Sequence, residues 1–381
     1  MSNDVYVVGT DMIKFGRFPD RSVPDLGAES ALLALDDCGL SIGDMQALYC
    51  GNLGEAGAMV GQRVLREIGQ TGIPVVNTAN ACATGATAFR EGWMAIKAGV
   101  YDIVLAVGVE QMGRGLLGGG GGGSGIPTEG LLGSGTMPSV FAQVGLEHTR
   151  KYGTSFEQFA KVSVKNHHHS TLNPKAMYQV ETPLEEVMKA EMISYPNTKL
   201  MCSVNVDGSA AAVLCSEKKA KELGLMGRAV RVRASALNSD PYSPRNMAMP
   251  DFNAVTRLAA KSAYEMAGLG PDDVDLIELH DCFATAEIVH YENLGLCKDG
   301  EAGRLIDSGA TALGGKIPVN VSGGLLSKGH PLGATGIANI YEVTTHLRGE
   351  AKNRQVEGAK IGLTHVVGMG SACAVHILEK A

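Results

Sequence analysis

The sequence lacks the patterns that mark several large classes of protein. Its eight cysteines form no Cys-x-x-Cys pair and are scattered over 381 residues. Such spacing indicates neither a disulfide framework nor a structural zinc site. No apolar run approaches the roughly 20 residues that span a bilayer. The net charge of -7 provides no basic excess for general nucleic-acid binding. We therefore expect no resident metal, no membrane span and no nucleic-acid partner.

The two ends of the chain also lack recognisable address signals. The start, MSNDVYVV, has no charged region followed by an apolar stretch and a cleavage site. The last residues, ILEKA, do not form a Ser-Lys-Leu peroxisomal address. On this basis we expect a cytoplasmic protein.

Glycine is abundant instead. Fifty glycines punctuate the apolar runs of a chain that is 45% hydrophobic and 19% charged. This pattern is typical of an α/β protein with tight turns from strand to helix. The length suits two ordinary domains. Strands are predicted at residues 5–9, 47–50, 75–77, 103–108, 229–236, 275–279, 317–321, 360–364 and 374–378, with helices at 25–37, 84–97, 155–168, 255–267, 286–294 and 337–347.

The two halves of the chain repeat one local unit. The predicted strand at 74–77 leads through a short loop to Cys82 and then to Ala-Thr-Gly. The predicted strand at 318–321 leads through a glycine-rich loop to His330 and then to another Ala-Thr-Gly. A pseudo-two-fold relation between the halves would bring Cys82 and His330 together.

Cys82 is the predicted nucleophile. It precedes the helix predicted at 84–97, where unpaired amides and the helix dipole favour a thiolate and hence a lowered pKa. The small residues around it leave room for an acyl chain. The alternative is a buried, unreactive cysteine, which is the usual fate of a lone cysteine.

His330 is the predicted partner of Cys82. Pro331 and the neighbouring glycines fix a tight loop before the helix, so the imidazole would be held in one orientation. A fixed imidazole can take the thiol proton and later donate a hydrogen bond to an oxyanion. The alternative is a purely structural histidine.

A third group follows the strand predicted at 275–279, where His280, Asp281, Cys282 and Phe283 are consecutive. A metal cluster is one interpretation, but no further ligands occur at helical or hairpin spacing. Hydrogen-bond donor and acid/base roles are favoured.

Between residues 113 and 201 the alternation of strands and helices breaks down, which predicts a long functional insertion. The glycine run 118–123 lacks the lysine of a phosphate-binding loop and does not open a helix. It is interpreted as a flexible tether rather than a phosphate cradle.

Together these motifs resemble the thiolase superfamily over essentially the whole chain. The resemblance is based on four motifs: Cys82 in its Ala-rich loop, the His-Asp-Cys-Phe motif at 280–283, the Gly-His-Pro motif at 329–331 and the glycine-rich end. Most thiolases carry Asn-Glu-Ala-Phe at the second site, whereas His-Asp-Cys-Phe resembles the sterol carrier protein-type thiolases. The resemblance implies two pseudo-repeated mixed-sheet α/β halves in a five-layer αβαβα arrangement. The halves would comprise residues 1–112 with 202–224, and 225–381; residues 113–201 would form a loop domain that covers coenzyme A.

One departure concerns the closing loop. Most thiolases have Cys-x-Gly there, and its cysteine moves the proton on the α-carbon. The matching positions here are Val366, Val367 and Gly368, after His365. In the sterol carrier protein-type subgroup the cysteine of His-Asp-Cys-Phe takes that role, which falls to Cys282.

The resemblance implies a reversible Claisen condensation or thiolytic cleavage of 3-ketoacyl-CoA through an acyl-Cys82 intermediate. His330 would manage the thiol proton, Cys282 the α-proton, and His280 with His330 would hold the enolate oxygen. The amides of Cys82 and Gly368 would polarise the acyl carbonyl. Coenzyme A thioesters would be substrates, with no permanently bound cofactor, in lipid and fatty acid metabolism. A homodimer or dimer of dimers is expected, and candidate phosphate contacts, also readable as solvated surface, are Arg150, Lys151 and Lys161.

Two of the cysteines distinguish the expected activity from related ones. Ketoacyl synthases need no second acid/base cysteine, so Cys282 argues against that activity. Retro-aldolases of the steroid side-chain type have lost the nucleophile, so Cys82 argues against that one. A non-catalytic acyl-CoA carrier acting with an OB-fold partner is the alternative from another class.

Overall fold

The computed structural model of the chain describes residues 4–113, 136–242, 253–369 and 371–381. The glycine run 118–123 lies outside these residues. The strands are β1 Val5–Met12, β2 Leu48–Gly51, β3 Val75–Thr78, β4 Ile103–Glu110, β5 Met192–Ser194, β6 Asn197–Thr198, β7 Gly208–Ser216, β8 Val230–Asn238, β9 Leu276–Glu278, β10 Ile361–Gly368 and β11 Ala372–Lys380. The helices are α1 Val23–Asp37, α2 Val60–Ile68, α3 Thr84–Lys97, α4 Met137–Tyr152, α5 Phe156–Thr171, α6 Leu184–Lys189, α7 Glu217–Glu222, α8 Asn253–Ala267, α9 Ala284–Asn293, α10 Ala302–Asp307 and α11 Leu332–Arg348.

Nine strands form one mixed sheet in the order β3-β2-β4-β7-β1-β8-β11-β10-β9. A short antiparallel contact between β1 and β8 joins the two halves at its centre. Outward from that contact, each half has two antiparallel pairings followed by parallel pairing, with two parallel pairings in the first half and one in the second. The predicted pair of pseudo-repeated halves is therefore confirmed.

Helices cover the sheet in layers, as the five-layer prediction requires. In the first half, α1 packs on β1, β4 and β7, with α2 beside it. In the second half, α8 packs on β8 and β11. Helices α3 and α11 pack on each other between the two halves of the sheet and form the middle layer.

Glycines allow α3 and α11 to approach closely at their N-terminal ends. A Cβ atom added to Gly85 would lie 3.4 Å from the amide nitrogen of Gly336, and one added to Gly336 would lie 2.8 Å from the Cα atom of Ala86. Bulkier residues would force these backbones apart. The two Ala-Thr-Gly segments therefore bring together the loops that precede the two helices, which carry Cys82 and His330.

The strand predicted at 317–321 is reduced to a single parallel bridge between Val319 and Ile277. Pro318 has no N–H to donate to a ladder. Asn320 adopts a left-handed conformation, with φ of 54°, and its side-chain oxygen accepts the N–H of Leu279 at 2.8 Å. The segment thus holds the end of β9 through a side chain instead of extending the sheet.

The described part of the insertion is largely helical and packs on the second half. Residues of α4 and α5, including Phe141 and Phe159, share one buried apolar cluster with Phe283 and Leu363. The exact domain boundaries stay a prediction. In the described part of the chain, no helix combines the length and apolar character needed to cross a membrane.

Candidate functional site

Three reactive side chains from distant parts of the sequence meet where the two halves face each other. The Cys82 sulfur and one ring nitrogen each of His280 and His330 all lie within 4.8 Å of one another. Cys82 is partly exposed, whereas both histidines are almost fully buried. A partly exposed cysteine residue therefore faces two imidazoles that are shielded from solvent.

The loop before α3 holds Cys82 in a constrained position. Ala81 adopts a left-handed conformation, with φ of 48°, which is uncommon for a residue with a side chain. The Thr84 hydroxyl accepts the Asn80 N–H at 2.8 Å and donates to the Ala81 carbonyl at 2.6 Å. These bonds stabilise the sharp turn that presents Cys82 just ahead of the helix.

The end of β10 closes over the same loop. A Cβ atom on Gly368 would collide with the backbone carbonyl oxygen of Asn80, so only glycine allows this approach. Val366 packs with Ala83 and Cys82, at the position where most thiolases have their second cysteine. The amides that face the Cys82 sulfur belong to Cys82 itself and Met369. The Cys82 and Gly368 amides stay a predicted oxyanion pair, and Met369 is a neighbour that the sequence did not indicate.

His330 is held in one orientation by Thr335. Its Nδ1 lies 2.7 Å from the Thr335 hydroxyl, which itself donates to the Pro331 carbonyl at 3.0 Å. Because the single hydroxyl proton is used there, Nδ1–H must be the donor to Thr335. The neutral ring then has its lone pair on Nε2, which is buried without a hydrogen-bond partner among the described residues. This nitrogen is oriented to accept a proton.

His280 lies edge-on to His330, with ring centroids 5.1 Å apart. Burial lowers the pKa of His280 to about 3, so the ring is neutral. Neither ring nitrogen has a hydrogen-bond partner in the described part of the chain. A buried neutral imidazole without a partner is suited to hydrogen-bond a ligand oxygen. Behind it, the His365 Nδ1 accepts the backbone N–H of His280 at 3.4 Å.

Cys282 lies beside this group, just after β9, and is 5% exposed. Burial raises its pKa well above the usual range for a thiol, and the nearby Cys82 and Asp281 act in the same direction. The structure thus brings together four of the predicted site residues: Cys82, His280, Cys282 and His330.

The lowered pKa expected for Cys82 is wrong for the resting protein. Burial raises the pKa of the Cys82 thiol to about 12, although the amides of Cys82 and Met369 favour the thiolate. Burial, with smaller contributions from His280 and Lys328, also holds the pKa of His330 well below its usual range. The resting pair is therefore a neutral thiol and a neutral imidazole, so the proton must move during the attack.

This protonation state can be measured by the ultraviolet absorbance of thiolates. We expect the difference spectrum between the native protein and Cys82→Ser to show no thiolate at neutral pH. Because the pKa is raised, thiolate absorbance should appear only as the solution becomes strongly alkaline. A Cys215→Ser variant is the control for a buried cysteine elsewhere. Thiolate absorbance at neutral pH that disappears on acidification would contradict the neutral pair.

Residues of α5 that the sequence did not indicate hold the Cys282 loop. The Asn166 amide donates at 2.8 Å to both the Asp281 and the Glu287 carboxylates. Lys165 is paired with Glu287 at 2.6 Å, and all four side chains are buried. Asp281 also accepts the N–H of Leu325 at 2.8 Å, in the π-helical turn Gly324–Lys328 that precedes His330. The insertion therefore holds the Cys282 loop, and Asp281 connects that loop to the one that precedes His330.

Two of the consecutive histidines on α5 are structural. The His169 Nδ1 lies 3.0 Å from the Asn320 carbonyl and its Nε2 accepts the Leu313 N–H at 3.0 Å. His167 is buried against Ser327, whereas His168 is exposed beside Glu181. Hydrogen bonds between residues more than 140 positions apart leave no signal in a local sequence pattern.

A buried ion pair connects the two histidine loops. The Lys328 ammonium lies 3.4 Å from the Glu278 carboxylate and 3.4 Å from the Asn339 side-chain oxygen. Both members of the pair are 1% exposed or less and lie two residues before His330 and His280, respectively. The pair is therefore placed to fix the distance between those loops.

Breaking this pair should be costly. We expect Lys328→Met to reduce the free energy of unfolding by about 3–5 kcal/mol, because it leaves a buried carboxylate without its partner. The exposed pair of Lys189 and Glu185 is the matched control, and Lys189→Met should change the free energy by about 0–1 kcal/mol. Denaturant titration measures both, and equal losses would contradict the assignment.

The three candidate phosphate contacts lie on exposed helix faces and are engaged with carboxylates. Arg150 and Lys151 both contact Glu147, at 2.6 and 3.5 Å. Lys161 contacts Glu157 at 2.9 Å and Asp307 at 2.8 Å. To contact a phosphate they would have to exchange these partners, so their role stays a prediction.

Known proteins match this chain over almost its whole length. Residues 5–194 match the thiolase N-terminal domain and residues 240–380 match the thiolase C-terminal domain-like family. Sterol carrier protein 2 from Homo sapiens is 42% identical over 393 residues, covering 98% of this chain and 72% of that protein. Acetyl-CoA acetyltransferase from Methanothermobacter thermautotrophicus is 41% identical over 398 residues, covering 99% of this chain and all of that protein.

Solved structures show the same fold at lower sequence identity. The Ltp2-ChsH2(DUF35) aldolase has a TM-score of 0.86 at 22% identity and covers the whole of this chain and 98% of its own. Human mitochondrial 3-ketoacyl-CoA thiolase has a TM-score of 0.73 at 20% identity and covers the whole of this chain and 99% of its own.

Proposed function

Because the chain belongs to the thiolase family, and is an acyltransferase on that ground, we propose that it transfers acyl groups between coenzyme A thioesters through Cys82. The reaction is a reversible Claisen condensation or, in the other direction, thiolytic cleavage of a 3-ketoacyl-CoA. The observation that carries the proposal is the meeting of the Cys82 sulfur with one nitrogen of each histidine, all within 4.8 Å. Coenzyme A thioesters enter as substrates, without a permanently bound cofactor.

In the cleavage direction, the Cys82 sulfur attacks the 3-keto carbonyl while its proton passes to the Nε2 of His330. The bond between C2 and C3 then breaks, and its electron pair leaves as the enolate of acetyl-CoA. His280 and the protonated His330 donate hydrogen bonds to the enolate oxygen. The ring nitrogens of His280 and the Nε2 of His330 support this role, since they are buried and have no hydrogen-bond partner among the described residues.

Cys282 gives its proton to C2 of the enolate and releases acetyl-CoA. Coenzyme A thiol then attacks the acyl-Cys82 carbonyl and gives its proton to the Cys282 thiolate, while the departing Cys82 sulfur takes back the proton held by His330. In the condensation direction the same steps run backwards. The amides of Cys82 and Gly368 polarise the acyl carbonyl in both directions.

The remaining parts of the proposal are supported by fewer observations. Residues 113–201 would cover the nucleotide part of coenzyme A, in line with the packing of α4 and α5 beside the site. The likeness to the aldolase complex extends to the fold alone, so an OB-fold partner stays a secondary proposal. A role in lipid and fatty acid metabolism rests on the resemblance to thiolases.

Mass spectrometry tests the nucleophile directly. After the protein is mixed with acetyl-CoA or a 3-ketoacyl-CoA, we expect one acyl group per chain, mapped to the peptide that contains Cys82. Cys297→Ser, at a partly exposed cysteine outside the site, should still be acylated. Intact binding of acyl-CoA without a covalent adduct would instead support the carrier alternative.

The free edge of the first half leads us to propose a two-fold dimer. Among the described strands β3 pairs only with β2, and Val76 on it is 43% exposed. An unpaired strand edge is a natural site for an isologous contact. The Cys82 loop follows β3 directly, so a partner there would also cover the loop.

Light scattering should therefore give a dimer or a dimer of dimers. Val76→Glu, which places a charge on the edge, should shift the protein toward monomer. The matched control is Val180→Glu, at an exposed valine away from β3, which should leave the assembly unchanged. A native protein that is monomeric and active would contradict the dimer.

A further inference from the structure

We propose that Cys82, His280 and His330 also form a binding site for a thiophilic divalent cation such as Zn²⁺, whose occupancy blocks the nucleophile. The cation would be an inhibitor and not a participant in the reaction. The inference rests on the ligand geometry and goes beyond the proposed function. The site would take free Zn²⁺ or a metal of similar preference.

The donor set matches what zinc prefers. Zinc takes cysteine sulfur and histidine nitrogen in tetrahedral sites, and three protein ligands leave a fourth position for water. At Zn–S and Zn–N lengths of about 2.3 and 2.0–2.1 Å, the ligand atoms of a tetrahedral site lie about 3.3–3.6 Å apart. The three atoms here all lie within 4.8 Å of one another, so the cluster must contract by little more than 1 Å.

The side chains have the freedom and the lone pairs for that contraction. In the described part of the chain, no hydrogen bond restrains the His280 ring nitrogens, so the ring can turn toward the metal. His330 is already oriented, because its Nδ1–H is bonded to Thr335 and its Nε2 is left as the ligand atom. A hydrogen bond on the far nitrogen is the usual support of a metal-binding histidine.

Binding would release one proton. The Cys82 S–H bond breaks, its electron pair goes to the metal, and the proton leaves to solvent, while both imidazoles bind as neutral ligands. Partial exposure of Cys82 gives the cation an entry path. Because the bound sulfur can no longer attack a carbonyl, metal and acyl group would exclude each other.

Cobalt is the probe for this site, since a thiolate bound to Co²⁺ gives a sulfur-to-metal charge-transfer band. Metal-free protein should bind one Co²⁺ per chain with that band, and Zn²⁺ should displace it. Cys82→Ser should lose the band. Thr335→Val should weaken binding by about 10–100-fold, as loss of a hydrogen bond behind a metal ligand does. Cys297→Ser, outside the cluster, should keep both the band and the stoichiometry.

A second measurement covers the case in which Cys82→Ser does not fold. In the native protein, Zn²⁺ should protect Cys82 from alkylation, as read by peptide mapping, and a chelator should restore its reactivity. Absence of a charge-transfer band, a band that persists in Cys82→Ser, or undiminished alkylation in the presence of Zn²⁺ would each overturn the metal site. The acyl-adduct experiment is run without metal, so failure of either idea leaves the other standing.

Discussion

Replacement of Cys82 with alanine should lower the turnover of 3-ketoacyl-CoA cleavage by about 10⁴- to 10⁶-fold, the range seen when a covalent nucleophile is removed. The acyl group would have no residue to which it can transfer, so no covalent adduct should form. His280, Cys282 and His330 remain in place in this variant. Exchange of the acetyl-CoA methyl protons with solvent deuterium should therefore persist.

Measuring both the adduct and the exchange in the same variant makes this result specific. A general loss of folding would abolish both the adduct and the exchange, whereas loss of the nucleophile abolishes the adduct alone. Cys373→Ala is the control, because Cys373 is a buried cysteine that belongs to the apolar cluster of the second half. Turnover of Cys82→Ala within tenfold of the native protein would show that another group accepts the acyl chain.

The placement of Cys82 and His330 follows from local features of the sequence. Each residue precedes a helix, and the following Ala-Thr-Gly supplies the glycine through which the helices approach each other. A repeated strand, loop and helix therefore predicted the central pair of the site, whereas the layered arrangement was implied by the resemblance to thiolases. The bounds of α3, predicted at 84–97, agree with the structure.

Other elements depend on pairings that no local pattern records. β7 lies between β4 and β1 in the first half, but its alanine-rich sequence carries little of the β-branched and aromatic signal of a strand. The predicted strand around Val319 is overridden by Pro318 and by the left-handed Asn320. Helix α5 contributes Asn166 to the Cys282 loop from more than 100 positions away.

The direction of the Cys82 pKa shift could not be predicted from the sequence for a similar reason. A helix N-terminus can be read from residue order, and it favours the thiolate. Desolvation depends on what covers the thiol, and here Val366 and Ala83 pack beside it. The larger effect came from tertiary packing, so it reversed the expected direction.

The last prediction concerns Cys282, which replaces the cysteine missing from the closing loop. Cys282→Ala should suppress deuterium exchange into the methyl group of acetyl-CoA, and condensation with it, by about 100- to 10,000-fold, the usual contribution of a general acid or base. The variant should still accept an acyl group on Cys82, because His330 manages that proton. Exchange measured by NMR and acylation measured by mass spectrometry would then separate the two cysteines.

Cys282→Ser adds a control on the chemistry, since it replaces the thiol with a hydroxyl of similar size whose proton is much less acidic. Its exchange rate should also fall. If Cys282→Ala lost exchange only because packing was disturbed, the serine variant would instead exchange at nearly the native rate. Near-native exchange in Cys282→Ala would move the α-proton to another group. His365 would then be the first to test, because it contacts the His280 backbone and its Nε2 has no hydrogen-bond partner among the described residues.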